Sequence, residues 1–115
     1  MVYKLGNVKD IEKVPVIEGD TYKALYKYLN ILESEYGKDR DLDEDDGGYV
    51  LYAERGTTTD ELETYFDYSR YLLEFAECSD SGEVITAVYL LGNDYGVVIV
   101  IHKDDAPEEY LKEME

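Results

Sequence analysis

An acidic segment near the middle of the chain has part of the carboxylate spacing of a calcium-binding loop. Counting from Asp43, carboxylates stand at positions 1 and 3, Gly48 at position 6 and Glu54 at position 12. An EF-hand uses these positions for oxygen ligands and for its turn glycine. However, residues 49–52 have the composition of a strand, whereas an EF-hand needs a helix after its loop. We therefore predict a solvated acidic loop without a tight calcium site.

Two further groups capable of chemistry stand alone. His102 is the only histidine, and Cys78 is the only cysteine. Cys78 lies among carboxylates, which disfavour the reactive thiolate, and it has no thiol partner for a disulfide or a zinc site. The sequence contains no Gly-rich phosphate loop, catalytic triad order or metal-spaced histidine cluster. We therefore expect no enzymatic activity, no catalytic residue, no metal and no cofactor.

The charge of the chain is large and unevenly distributed. The formal net charge is −17, although residues 1–38 contain six lysines and six acidic residues and are neutral overall. The remaining 77 residues hold 22 acidic residues against five basic ones. The negative electrostatic potential of such a chain disfavours direct binding to nucleic acid or to an anionic membrane. It favours a protein partner with a basic surface.

The sheet that positions these charges is predicted around residues 84–103. Two apolar runs rich in β-branched residues are joined there by residues 92–96, which is typical of a β-hairpin. The second run, 97–101, does not alternate with polar residues, so both of its faces should be covered. Further strands are predicted at residues 2–5 and 49–53, and an edge strand at 14–17 because it contains a proline.

Helices are predicted on either side of the acidic loop. Apolar residues follow helical spacing at about 21–36 and 60–77, and Thr58 with Glu61 fits a capping box for the second helix. A short C-terminal helix is expected after Asp104 or Asp105. The predicted fold is one α+β domain over residues 1–115. It has an antiparallel sheet of three to five strands centred on the hairpin, covered by the two main helices and the short C-terminal one.

The candidate partner-binding residues come from the acidic loop and from an acidic and an aromatic row on the predicted second helix. The acidic row has a plainer interpretation as a solvated face, and the aromatic row as part of the core. The candidates are Asp39, Asp41, Asp43, Glu44, Asp45, Asp46, Glu63, Asp67, Tyr68, Tyr71, Glu74, Phe75 and Glu77.

In size and charge the chain resembles the small acidic proteins with which phages and mobile elements disarm restriction or CRISPR nucleases. Some of those proteins present carboxylates where DNA presents phosphates. The resemblance implies a non-enzymatic inhibitor that acts by charge mimicry on a nucleic-acid-binding protein. The alternative is a small regulatory or structural domain whose acidity serves solubility alone, with a calcium-binding or enzymatic domain third. We expect a cytoplasmic protein, and its tyrosine-rich surface would also allow association between copies.

Overall fold

The central element is strand β5, which lies in the middle of a five-stranded mixed sheet of order β1-β2-β5-β4-β3. The computed structural model describes residues 1–15, 19–37, 48–92 and 94–113. The strands are β1 (Val2–Leu5), β2 (Tyr49–Ala53), β3 (Leu72–Cys78), β4 (Val84–Leu91) and β5 (Asp94–His102).

Strand β5 is covered on both faces, as its uninterrupted apolar run predicted. Ile99 packs into a cluster on one face of the sheet and Val100 into a cluster on the other. Both side chains are 0% exposed. The predicted central strand of the sheet is therefore confirmed.

The pairing partners of β5 differ in direction. Strand β4 pairs antiparallel with β5, which confirms the predicted hairpin. Strand β2 pairs parallel with it, Leu51 opposite Ile99, so the prediction of a purely antiparallel sheet is wrong. A parallel pair requires a long crossover connection. Here β3 and β4 and the segments around them supply that connection, and the composition of β2 does not reveal its direction.

Helix α1 (Gly19–Tyr36) covers one face of the sheet and confirms the helix predicted at 21–36. Leu25, Leu29 and Leu32 recur at helical spacing and are fully buried against the sheet. A 3₁₀ turn, Val8–Lys13, adds Ile11 to the same cluster. Val14 follows this turn outside any strand, so the predicted edge strand does not begin there, and its residues 16–17 lie outside the described residues.

The helix predicted over residues 60–77 is wrong. The chain forms a short helix α2 (Thr59–Glu63), a 3₁₀ turn (Tyr68–Arg70) and then strand β3. The helix start is confirmed, since the Thr58 side chain accepts a hydrogen bond from the Glu61 amide at 3.1 Å. Strand β3 escaped detection because Glu74 is an extra residue in its pairing with β4, and this bulge interrupts the apolar alternation.

The second face of the sheet is covered by α2, by residues 64–71 and by helix α3 (Glu108–Glu113). Leu62, Phe66 and Tyr110 insert from this side into one cluster with Ile99. The predicted C-terminal helix is confirmed, but it begins beyond Pro107, and a separate 3₁₀ turn precedes it at Lys103–Asp105. Each sheet face thus has its own covering layer.

Asp10 is a buried carboxylate that helps to fix the turn before α1. Its Oδ2 accepts hydrogen bonds from the backbone amides of Gly6, at 2.8 Å, and Asn7, at 3.2 Å. Its Oδ1 lies 3.0 Å from the Lys13 ammonium group. Burial opposes ionisation, but the two amides and Lys13 together hold the pKa of Asp10 below its ordinary value.

A lowered carboxyl pKa stabilises the folded state above the pKa of the unfolded chain, and this contribution is lost as the pH falls through the folded-state pKa. We therefore expect Asp10→Asn to destabilise the protein more at pH ~6 than at pH ~2.5. Urea unfolding at the two pH values measures this difference, with Glu12→Gln at an exposed neighbouring carboxylate as the matched control. If Asp10→Asn lowered the free energy of unfolding equally at both pH values, the lowered pKa of Asp10 would be contradicted.

Candidate protein-binding surfaces

The two layers that cover the sheet carry very different charge. Residues 56–71 and 103–113, which we call the acidic layer, contain nine carboxylates and three basic residues, a net charge of −6. The layer on the other face, residues 6–15 and 19–37, contains five carboxylates and four lysines, a net charge of −1. The excess negative charge in these two layers is therefore concentrated on one face of the sheet.

Local packing determines which side chains of the acidic layer face solvent. Leu62 and Tyr110 insert into the core and are fully buried. Because α2 and α3 each present one face to the sheet, the carboxylates of Glu63, Glu108 and Glu109 are left exposed. None of these three forms an ion pair with a basic group of the described residues. They are available to a basic partner.

A small cleft lies between α2 and α3 within the acidic layer. It has a volume of about 260 Å³ and is lined by Thr59, Glu63, Tyr68, Pro107 and Glu109. The Glu109 Oε1 atom lies 3.3 Å from the hydroxyl of the buried Tyr89, which can donate to it. Burial above all, and then the charge of Glu109, raise the pKa of Tyr89. The phenol is therefore a neutral donor that orients this carboxylate.

Two predicted aromatic contacts belong to the core instead. Tyr71 is buried and stacks on Phe66, with ring centroids 4.9 Å apart. Tyr68 is half-buried and packs edge-on against Phe66 at 4.7 Å. The interpretation of the aromatic row as core is thus correct for Tyr71, which cannot contact a partner without rearrangement.

Phe75 differs from the other members of the predicted aromatic row. It lies on the edge strand β3 and is 36% exposed, and Leu72 of the same strand is 76% exposed. Leu72 lies opposite Leu90 and Phe75 opposite Val88, and both β4 residues pack on the α1 side of the sheet. Leu72 and Phe75 therefore share that face, beyond the reach of the helix.

The predicted acidic row is divided between surfaces. Glu63 and Asp67 belong to the acidic layer, whereas Glu74 and Glu77 lie on β3. The Glu77 carboxylate accepts a hydrogen bond from the Tyr28 hydroxyl at 2.7 Å and pairs with Lys27 at 3.2 Å. Burial opposes its ionisation, but these two contacts hold the pKa of Glu77 below its ordinary value. The four residues do not form the single helical stripe that was predicted.

Some predicted sites fall partly or wholly outside the described residues. The six acidic loop residues Asp39, Asp41, Asp43, Glu44, Asp45 and Asp46 all lie there. The described end of the calcium-like segment is strand β2, as predicted. Glu54, which follows that strand, accepts a hydrogen bond from the Tyr3 hydroxyl at 3.2 Å.

The isolated histidine and cysteine occupy strand ends. The His102 Nδ1 atom accepts a hydrogen bond from the Asp104 amide at 3.2 Å, and Cys78 is an exposed thiol at the end of β3. Within the described ranges, no three histidine, cysteine or carboxylate side chains converge as they would around a metal ion. None of the helices in those ranges is long and apolar enough to cross a membrane.

Sequence reasoning missed the contribution of the C-terminal helix to the acidic surface. The candidates chosen from sequence do not include Glu108 or Glu109, and the proximity of Glu109 to Glu63 depends on the tertiary packing of Tyr110. The preference of acidic residues for helix N-termini explains their position but not what they face. No family model, curated protein or solved structure matches the chain.

Proposed function

We propose that the protein is a non-enzymatic binding module that engages a partner protein with a basic surface through its acidic layer. The observation that carries this proposal is the difference in charge between the two layers, −6 against −1. Acidity that serves solubility alone requires no such segregation. A charged face of one sign accelerates encounter with an oppositely charged groove and orients the two proteins.

The more specific form of the proposal is inhibition of a nucleic-acid-binding protein or nuclease by charge mimicry. A groove that binds a phosphate backbone is lined with lysine and arginine. Exposed carboxylates such as Glu63, Glu108 and Glu109 would meet those cations in place of phosphates. The mimic and the nucleic acid would then compete for one groove, and salt would weaken both interactions.

A charge-matched pair of variants tests the role of the acidic layer. The first combines Glu63→Gln, Glu108→Gln and Glu109→Gln, and the control combines Glu12→Gln, Glu35→Gln and Glu83→Gln at exposed positions outside the layer. Both raise the net charge by the same amount. With a basic protein captured on the immobilised chain at low salt, we expect the first variant to associate about 3–10-fold more slowly and the control to change little.

Competition with DNA separates mimicry from other acidic binding. A captured partner that is released by a short DNA duplex, and whose affinity falls steeply with salt, supports the mimicry proposal. Simultaneous binding of DNA and this protein would contradict mimicry but leave the acidic layer as the contact. If both triple variants bind equally, the layer is not the interface, and the alternative that acidity serves solubility becomes the better explanation.

A further inference from the structure

Strand β3 is an edge strand that is accessible both along its outer hydrogen-bonding edge and on its α1-side face. It is the outermost strand of the sheet beside β4, and within the described residues no other strand pairs with its outer edge. An unpaired edge presents backbone donors and acceptors to which another extended chain can bind. Helix α1 lies over β2, β5 and β4. The α1-side face of β3 is consequently left uncovered at Leu72 and Phe75, whereas Glu77 contacts α1.

The apolar side chains on that face are more exposed than the rest of the sheet. Leu72 is 76% exposed and Phe75 36% exposed, and they lie beside the partly buried Leu90 and the fully buried Val88. The next side chain on this face, Glu77, is bound by Tyr28 and Lys27 of α1 and closes the row. An extended segment laid along β3 would therefore find two apolar contacts.

The charge of the strand indicates what kind of segment fits. Residues 72–80 contain three carboxylates, Glu74, Glu77 and Asp80, and no basic residue. A second copy of this chain would bring three like charges against three, in addition to the repulsion between two molecules of net charge −17. The bulge at Glu74 also twists the edge away from self-pairing. A basic segment avoids the charge repulsion, although it must follow the twist that the bulge gives this edge.

We propose that the outer edge of β3 is a docking strand for an extended basic segment of a partner protein. The segment adds to the sheet as a further strand and places alternate apolar side chains against Leu72 and Phe75. Its basic side chains approach Glu74 and Asp80. This inference rests on the proposed function only in requiring a basic partner, because its surface is separate from the acidic layer.

The test uses a fluorescent peptide of about eight alternating valine and lysine residues with blocked ends. We expect it to bind the intact chain and to protect backbone amides of β3 from hydrogen exchange. A variant with Leu72→Thr and Phe75→Thr, which keeps residues suited to a strand, should bind about tenfold or more weakly. Leu111→Gln, which removes from α3 an apolar side chain about as exposed as Phe75, should bind like the unchanged protein.

N-methylated forms of the peptide test the backbone pairing itself. One is methylated on the amides of its first edge and a second on those of the opposite edge, with the same side chains in each. The edge that pairs with β3 depends on whether the peptide runs parallel or antiparallel to it, so each of these forms can still bind in one direction, whereas a third form methylated on both edges should not bind. Binding of this third form, unchanged binding to the Leu72/Phe75 variant, or no binding of the unmethylated peptide would overturn the proposal.

The Glu63/Glu108/Glu109 variant distinguishes this inference from the proposed function. If it abolishes peptide binding while the Leu72/Phe75 variant does not, the peptide lies on the acidic layer, so the docking strand is wrong and the proposed function stands. The reverse pattern supports the docking strand and leaves the proposed function to its own test with the two triple variants. A dimer in sedimentation that Leu72→Thr dissociates would assign the edge to a second copy and overturn the proposal.

Discussion

Replacing Tyr110 by alanine is expected to lower the free energy of unfolding by about 3–5 kcal/mol. Tyr110 is the only residue of α3 that is buried, and it is 0% exposed among Tyr89, Phe66 and Leu62. Its hydroxyl lies 3.1 Å from that of Tyr89, and burial raises its pKa, so it is a neutral hydrogen-bond partner. The substitution leaves a large cavity and removes the anchor that holds α3 on the sheet.

Denaturant unfolding of Tyr110→Ala and Tyr110→Phe separates the ring from the hydroxyl. The phenylalanine variant keeps the packing, and Tyr89 can still donate to Glu109 at 3.3 Å, so a loss of about 1 kcal/mol is expected. Leu111→Ala, at an exposed position of the same helix, should change stability by less than about 0.5 kcal/mol. If Tyr110→Ala were as mild as Leu111→Ala, the placement of α3 against the sheet would be wrong.

Truncation of Ile99 to alanine is expected to cost about 2–4 kcal/mol, and truncation of Val100 somewhat less. Each side chain is fully buried, on opposite faces of the central strand. Because β4 and β2 hold β5 on both sides, the backbone cannot easily close the resulting cavities.

The two truncations measure the packing on the two faces of the sheet separately. Since Ile99 and Val100 face different clusters but share the backbone of β5, any departure of the double variant from the sum of the two single effects measures coupling through that backbone. Leu72→Ala, in a strand but 76% exposed, is the control and should be nearly neutral. A cost below about 1 kcal/mol for Ile99→Ala would contradict the central position of β5.

The parts of the fold that could be predicted from sequence have a simple local signal. The uninterrupted β-branched run at 97–101 predicts a strand buried on both faces, and the leucines of α1 predict one apolar face. Residues 60–77 failed because Leu62, Phe66 and Ala76 fit helical spacing while belonging to a helix, a connection and a strand. The apolar residues of three short consecutive elements can thus show the spacing expected of one long helix.

Other features depend on contacts that no local pattern contains. The sequence predicts Gly96 in the turn of the hairpin, but the residue lies within β5, against the ring of Tyr71. A Cβ atom at Gly96 would lie 2.7 Å from that ring, so a tertiary contact explains the glycine. The parallel direction of β2 is likewise invisible in its sequence. For the binding surfaces, charge could be counted along the chain, but its segregation on one face depends on which elements cover which side of the sheet.

Because β2 pairs in parallel with β5, the strand pairs of the sheet differ greatly in how far apart their residues are in the sequence. Strands β3, β4 and β5 follow one another, and their paired residues are at most 18 positions apart. Residues paired between β2 and β5 are 48 positions apart. Contacts between residues distant in sequence slow folding, because a long loop must close before any contact rewards it. The antiparallel unit of β3, β4 and β5 should therefore form first during refolding, before α1 covers its face of β5. Hydrogen exchange should then detect β2 and β1 as the last strands to gain protection.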